Sequence, residues 1–127
     1  MRYLNFFIFI ILLLFLSKNI KSQSLNSFKN FDFGYIKGKI KNNNNINLEF
    51  ATVSLYNIIN NSLVEGTITN SKGKFLFTNI AEGKYRINIS FIGYKDTSVF
   101  INKTTKHLNN NINTIYLKQN AKLLSEI

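Results

Sequence analysis

The sequence predicts an all-β protein: a single seven-stranded Greek-key β-sandwich that follows an N-terminal signal peptide. Three observations lead to this fold class. After Gly34 the chain consists of short runs in which apolar and polar residues alternate, with Asn, Gly and Ser clusters between them. No segment of ten or more residues in that part keeps a helical stripe. Apolar residues make up 45% of the chain, which is enough for a packed core.

The first predicted strand shows the expected two-residue period. Ile36, Gly38 and Ile40 point to one side and the lysines between them to the other, so one face is buried and one is wet. Tyr85 opens the most regular alternation in the chain. The seven predicted strands cover residues 35–41, 50–58, 63–69, 74–78, 85–92, 98–101 and 112–118.

The turns between these strands carry recognisable signals. Asn70, Ser71, Lys72 and Gly73 form a four-residue turn signal in which Gly73 can take the positive φ of a tight reversal, and we expect a hairpin there. Residues 42–45 and 102–111 are predicted to be polar loops. The Asn runs look like compositional bias and suggest no site.

Residues 1–22 have the layout of a signal peptide. Arg2 precedes an apolar run at 6–16, and the chain then becomes polar. This run is shorter than the roughly 20 apolar residues that span a bilayer. Residues 23–34 show no sustained period, so we interpret them as a linker. The sequence therefore predicts an exported protein.

The cleavage site stays open on the sequence alone. A cut between Ser22 and Gln23 fits the small residue at position 22, while Leu16 or Ser17 could also flank it. An uncleaved anchor is the alternative, which Lys18 disfavours by ending the run early. The chain contains no Cys, which excludes a lipid-modified N-terminus, disulfides and thiolate metal sites.

Charge and side-chain chemistry argue against catalysis and nucleic-acid binding. The net charge of +10 comes from lysines scattered singly, not from one basic block. His107 is the only histidine, and no two carboxylates share a strand face as paired acid/base catalysis needs. We expect no enzyme activity and predict no catalytic, cofactor-binding or metal-binding residue.

Several pieces of the sequence occur together in a known order: residues 38–40, 48–55, 66–69, 70–75, 83–85 and 89–94. This order resembles the carboxypeptidase regulatory-like domain over residues 35–118. Asn47 departs from the family, in which a proline is common at that position. The residues that carry the resemblance, all with structural roles, are Ala51, Val53, Gly66, Thr67, Gly73, Phe75, Gly83, Tyr85, Gly93 and Tyr94.

The resemblance implies a prealbumin-like sandwich similar to the N-terminal domain of TonB-dependent outer-membrane receptors in Bacteroidetes. Such a domain would be a non-catalytic accessory or interaction module in nutrient import, in the periplasm or at the periplasmic face of the outer membrane. A partner would pair with an exposed sheet edge, and the first or the last strand is expected to offer it. Its partner would be the plug and barrel or another periplasmic protein, with membrane association only through the parent receptor. The tail at 119–127 resembles the segment leading towards a plug, so we expect a truncated or fragmentary receptor.

A free-standing, exported carbohydrate-binding-like module is the alternative. Sandwiches of this shape are often grouped with carbohydrate-binding folds, and sugar sites usually offer exposed aromatic faces. The chain has no Trp, and the tyrosines expected to face outward are Tyr56, Tyr94 and Tyr116. Phe75, Phe77, Tyr85 and Phe91 recur at strand spacing and are predicted core residues.

Overall fold

The computed structural model describes residues 3, 4, 8 and 32–126. Contacts group the chain into two units, Met1–Asn30 and Phe31–Ile127, and the fold below is that of the second unit. Most of the predicted signal peptide and most of the predicted linker lie outside the described residues. Within the described ranges, no helix has the length and apolar character that crossing a bilayer requires.

Eight strands and one short helix make up the described domain. The strands are β1 (Gly34–Asn42), β2 (Thr52–Asn57), β3 (Leu63–Ile68), β4 (Lys74–Ile80), β5 (Gly83–Ser90), β6 (Thr97–Lys103), β7 (Asn110–Asn111) and β8 (Ile115–Leu117). The helix α1 (Ala121–Ser125) follows them. The predicted all-β sandwich is confirmed, with eight strands where the sequence indicated seven.

The strands form two four-stranded sheets. In sheet I, β1 lies between β4 and the short strands β7 and β8, which both run parallel to it. In sheet II the order is β3-β2-β5-β6, with every pairing antiparallel. The inward side chains of both sheets form one core: Ile36, Ile40, Leu48, Ala51, Val53, Leu55, Phe75, Phe77, Ile80, Tyr85, Ile87, Ile89, Ile115 and Leu117.

The last predicted strand differs from the observed one. Residues 112–118 were expected to form one strand, but β7 and β8 pair with different parts of β1 and residues 112–114 between them are not in a strand. The backbone N–H of Ile112 still donates to the carbonyl of Lys37 over 2.8 Å. Alternation in the sequence therefore indicated the strand at 115–117 but not the interruption before it.

The predicted second strand begins too early. Phe50 has a φ of 63°, outside the extended region, and its N–H donates to the carbonyl of Thr69 over 2.9 Å in a turn. β2 consequently begins at Thr52 and ends at Asn57. Phe91 and Ile92, predicted at the end of the fifth strand, likewise lie beyond β5.

The turn at Gly73 is confirmed, but the hairpin is wrong. Gly73 has a φ of 70°, and a Cβ there would lie 2.4 Å from the carbonyl oxygen of Ile40. Its N–H donates to the carbonyl of Asn70 over 2.8 Å. However, β3 pairs with β2 and β4 pairs with β1, so the turn carries the chain from sheet II to sheet I. A turn signal predicts that the chain reverses direction, but it does not predict which strands pair with each other.

Candidate interaction surfaces

The ten family-signature residues are spread over the core and the turns and do not converge on one site. Ala51, Val53, Phe75 and Tyr85 belong to the core, and Tyr94 packs against it. The remaining five, at strand or turn positions, are Gly66, Thr67, Gly73, Gly83 and Gly93. Their structural role in the family stays a prediction.

Two of the signature tyrosines are held by hydrogen bonds. The hydroxyl of Tyr85 donates to the carbonyl of Ala81 over 3.1 Å, and burial raises the pKa of Tyr85. Tyr94 packs on Phe91 with ring centroids 5.5 Å apart, and its hydroxyl accepts from Nδ2 of Asn42 over 3.4 Å. Tyr94 is only partly exposed, so it does not present the free ring face expected from the sequence.

Sequence reasoning missed a buried threonine at the centre of the packing. The hydroxyl of Thr69 donates to the carbonyl of Leu48 over 2.6 Å and accepts from the N–H of Ala51 over 2.9 Å. These bonds tie the turn at 48–51 to the end of β3. In the sequence, Thr69 is the last residue of the third predicted strand. No local signal distinguished it from an exposed threonine.

The asparagines also have a role that the sequence did not indicate. Asn42 is buried, and its Oδ1 accepts from the N–H groups of Asn44 and Ile46. Oδ1 of Asn70 accepts from the N–H groups of Lys72 and Lys74 in the same way. Such bonds are the usual means by which Asn stabilises turns, so the turn preference of Asn could have signalled them.

Lysines dominate the outer face of sheet I. Lys39 on β1 lies opposite Lys74 on β4, and Lys37 lies opposite Leu76. Lys37 places its Nζ 5.0 Å from the ring centroid of Tyr35. Partial burial lowers the pKa of Lys39, as do the nearby charges of Lys41, Lys74 and Lys72, with no carboxylate acting in the other direction. This face therefore carries uncompensated positive charge.

A cleft of about 760 Å³ opens on this surface. We call it the lysine cleft; it is bordered by β1, β4, the end of β3 and residues 111–114. Its charged and polar lining consists of Lys37, Lys39, Thr67, Asn70, Lys74, Asn111, Asn113 and Thr114.

The outer face of sheet II has a different chemistry. Tyr56, Arg86 and Phe100 lie side by side on β2, β5 and β6. The guanidinium carbon of Arg86 is 5.1 Å from the ring centroid of Tyr56, and one terminal nitrogen donates to Oδ1 of Asn61 over 3.0 Å. Ser54, Asn88 and Ser98 form the next row, which contains no charge. Of the tyrosines expected to face outward, Tyr56 is half-buried and Tyr116 is 51% exposed.

One lysine is buried inside the domain. Lys103 ends β6 and is 2% exposed, and its ammonium donates to the carbonyl of Leu108. Burial lowers its pKa. The hydrogen bond joins β6 to the loop at 104–109, which indicates a structural role. His107 lies exposed in the same loop, and no cluster of metal-ligating side chains occurs in the part of the chain that the structure describes.

The sheet edges differ in how well they are protected. The first strand, one of two that we expected to offer an edge, is central in sheet I, whereas β8 does lie at an edge. In sheet II the edges are β3 and β6. β3 contains no Lys or Pro, although it carries Glu65 and its pairing with β2 is irregular between Leu55 and Tyr56. Its exposed apolar side chains are Leu63, Val64 and Ile68, and an edge strand with such exposed apolar surface is an open edge.

Residues 36–127 match the CarboxypepD_reg-like domain family. This match covers well over half of the chain, and the chain belongs to that family. The resemblance noted in the sequence is thereby confirmed. No curated protein sequence matches the chain.

Solved structures share the fold at low identity. The pilus 2b backbone protein of group B streptococcus superposes with a TM-score of 0.56 at 19% identity, over 72% of this chain and 43% of that one. BcpA, the major pilin subunit of Bacillus cereus, gives 0.59 at 15%, over 68% and 30%. Catechol 1,2-dioxygenase of Acinetobacter radioresistens gives 0.56 at 11%, over 74% and 54%. The chain spans less than two thirds of each of these proteins, and the similarity concerns the fold alone.

Proposed function

We propose that this domain is a non-catalytic interaction module on the periplasmic side of a TonB-dependent outer-membrane receptor. Family membership and the signal-like first segment support this setting. The observation that carries the interaction role is the open apolar edge at β3. A strand of the plug or of another periplasmic protein would pair with this edge through main-chain hydrogen bonds.

The side chains of β3 favour it over the other edges. Leu63 is 60% exposed and Ile68 is 57% exposed, so a partner strand would cover apolar surface while it pairs. β4 carries Lys74 on its outer side, and β7 and β8 are interrupted between Asn111 and Ile115. β3 offers six consecutive residues, against two in β7 and three in β8.

Site-directed crosslinking tests the edge directly. Because the chain has no Cys, Val64→Cys gives a single attachment point on β3 for a short photo-crosslinker. Phe100→Cys on the β6 edge is the matched control, since Phe100 is also exposed, at 67%. In outer-membrane preparations we expect a crosslink to a receptor plug from position 64 and little from position 100. Equal labelling from both edges, or none, would contradict the proposal.

The genomic setting provides a second test. We expect the DNA beyond the codon of Ile127 to encode a plug and barrel in one of its forward frames or in a neighbouring gene. Unrelated sequence there would argue against a parent receptor and would favour a free-standing exported domain. The crosslinking result would then identify its partner independently of that context.

A further inference from the structure

The lysine cleft has the dimensions of a ligand site. Its volume of about 760 Å³ lies within the range of roughly 300–1,000 Å³ that small-molecule sites usually occupy. β1, which lines its centre, is paired on both sides by β4 and by β7 and β8, while the edge strands β4 and β3 border it. A peptide strand could not add to the backbone of β1, so a ligand that lies over this strand must be recognised by side chains.

The charge of the cleft selects an anionic ligand. Lys39 and Lys74 are directly opposite each other on neighbouring strands, and Lys37 lines the same cleft. Like charges in this arrangement repel, and an anion between them would remove the repulsion. All three cations are lysines, which act as compact point charges and lack the planar fork that arginine offers to a single carboxylate or phosphate.

The uncharged residues that line the lysine cleft further limit the class of anionic ligand. Asn111 and Asn113 are exposed amides, and Thr114 adds a hydroxyl; amides and hydroxyls both donate and accept hydrogen bonds as sugar hydroxyls require. Phe75 is only 4% exposed and packs under Gly38, so it presents no ring face for stacking a base. Recognition of single-stranded nucleic acid usually depends on such stacking.

We propose that the lysine cleft binds an acidic oligosaccharide, with its anionic groups paired to Lys37, Lys39 and Lys74 and its hydroxyls bonded to Asn111 and Asn113. This site differs in place and chemistry from a tyrosine platform for neutral sugars. It shares Thr67 and Ile68 with the β3 edge, so the lysine variants, which leave β3 unchanged, test the cleft separately from that edge.

A matched pair of glycans tests the chemistry. Titration calorimetry of the purified full chain would use a galacturonate hexamer and its fully methyl-esterified form, which keeps the rings and removes the charge. We expect saturable binding of the acid, weakened by added NaCl, and none of the ester. Binding of both forms alike, or of neither at millimolar concentration, would overturn the proposal.

Two triple variants test the location. The combined substitutions Lys37→Gln, Lys39→Gln and Lys74→Gln should weaken binding by about 3- to 125-fold, since exposed ion pairs contribute roughly 1.4- to 5-fold each. The control combines Lys84→Gln, Lys95→Gln and Lys106→Gln, which removes the same charge from exposed positions outside the cleft. An equal loss in the control would show attraction to net charge only and would refute the site.

A vesicle-binding experiment distinguishes a glycan ligand from a membrane surface as the occupant of the lysine cleft. Vesicles of phosphatidylglycerol present anionic groups on a flat surface, whereas the lysine cleft is recessed. We expect weak sedimentation with these vesicles that the cleft variant and the control reduce equally. Strong vesicle binding that only the cleft variant abolishes, without hexamer binding, would replace the acidic oligosaccharide by a membrane.

Discussion

The outer faces of the two sheets differ although the sheets share one core. On sheet I, Lys39 and Lys74 are cross-strand neighbours with no carboxylate to compensate them. On sheet II, Arg86 lies over Tyr56 and bonds to Asn61, and its neighbours Ser98 and Asn88 are joined by a hydrogen bond of 2.9 Å. The cation of sheet II is held by its neighbours, although Nε of Arg86 has no hydrogen-bond partner, whereas the lysine charges of sheet I are uncompensated.

This contrast indicates which features serve the fold and which serve binding. Inward side chains are constrained by packing, because adding or removing even one methylene group in a close-packed core affects the fold. Outward side chains are not constrained by packing in the core. An outward arrangement that destabilises the folded domain therefore needs an explanation other than packing. A lysine cluster is such an arrangement, and it supports a binding role for sheet I.

The largest effect should come from the shared core. Phe77→Ala removes a side chain with 0% exposure and should lower the free energy of unfolding by about 3–5 kcal/mol. Phe100→Ala, on the outer face of sheet II, should change it by less than about 0.5 kcal/mol. Urea denaturation followed by circular dichroism measures both. Similar losses would mean that the outer face of sheet II is also structural.

Two glycines provide the next comparison. Gly73→Ala places a Cβ against the carbonyl of Ile40 at a positive φ and should cost about 1–3 kcal/mol. Gly66→Ala on β3 meets nothing within 4 Å and should stay within about 0.5 kcal/mol. Thermal melting of the two variants compares them, and a stable Gly73→Ala protein would argue against the tight turn between the sheets.

Removing one cation from each face should change stability in opposite directions. Arg86→Ala loses the contact with Tyr56 and the bond to Asn61 and should destabilise the domain by about 1 kcal/mol. Lys74→Gln relieves repulsion of Lys39 and should stabilise the domain at low salt, by less than Arg86→Ala destabilises it. Chemical denaturation with and without 1 M NaCl measures both; the gain in Lys74→Gln should shrink in salt.

The smallest change concerns the titration of Lys39. Its pKa in the folded domain lies below the usual 10.5, so between these two values the unfolded chain binds more protons. Stability contributed by this group therefore rises with pH across that window. Lys74→Gln should raise the pKa of Lys39 and flatten the rise, which NMR of the lysine ε-methylene resonances would detect. An unchanged pKa would contradict the interaction between the two lysines.

The sequence predicted much of the domain because its strands alternate. Ile36 and Ile40 are buried as expected, and Val53 and Leu55 form the corresponding face of β2. These patterns follow from the two-residue period of a strand on a core, which is a local property. The family signature was readable for the same reason, since its glycines and apolar residues occupy fixed positions in strands and turns.

Which strands pair with each other could not be predicted from local alternation. β3 and β4 follow each other across a clear turn signal, yet they belong to different sheets, and β1 proved central and not an edge. Strand pairing joins distant residues, such as Lys41 with Tyr116, and no local pattern contains that information. The interruption between β7 and β8 escaped prediction for the same reason.

By itself, the sequence determined the fold class, the family and the inward face of most strands, because burial of alternating side chains needs only local order. Only the tertiary structure decided that Lys37, Lys39 and Lys74 border one cleft with Asn111 and Asn113, and that β3 is the open edge. Those surfaces form where segments far apart in the chain meet, so their chemistry exists only after the sheets have paired.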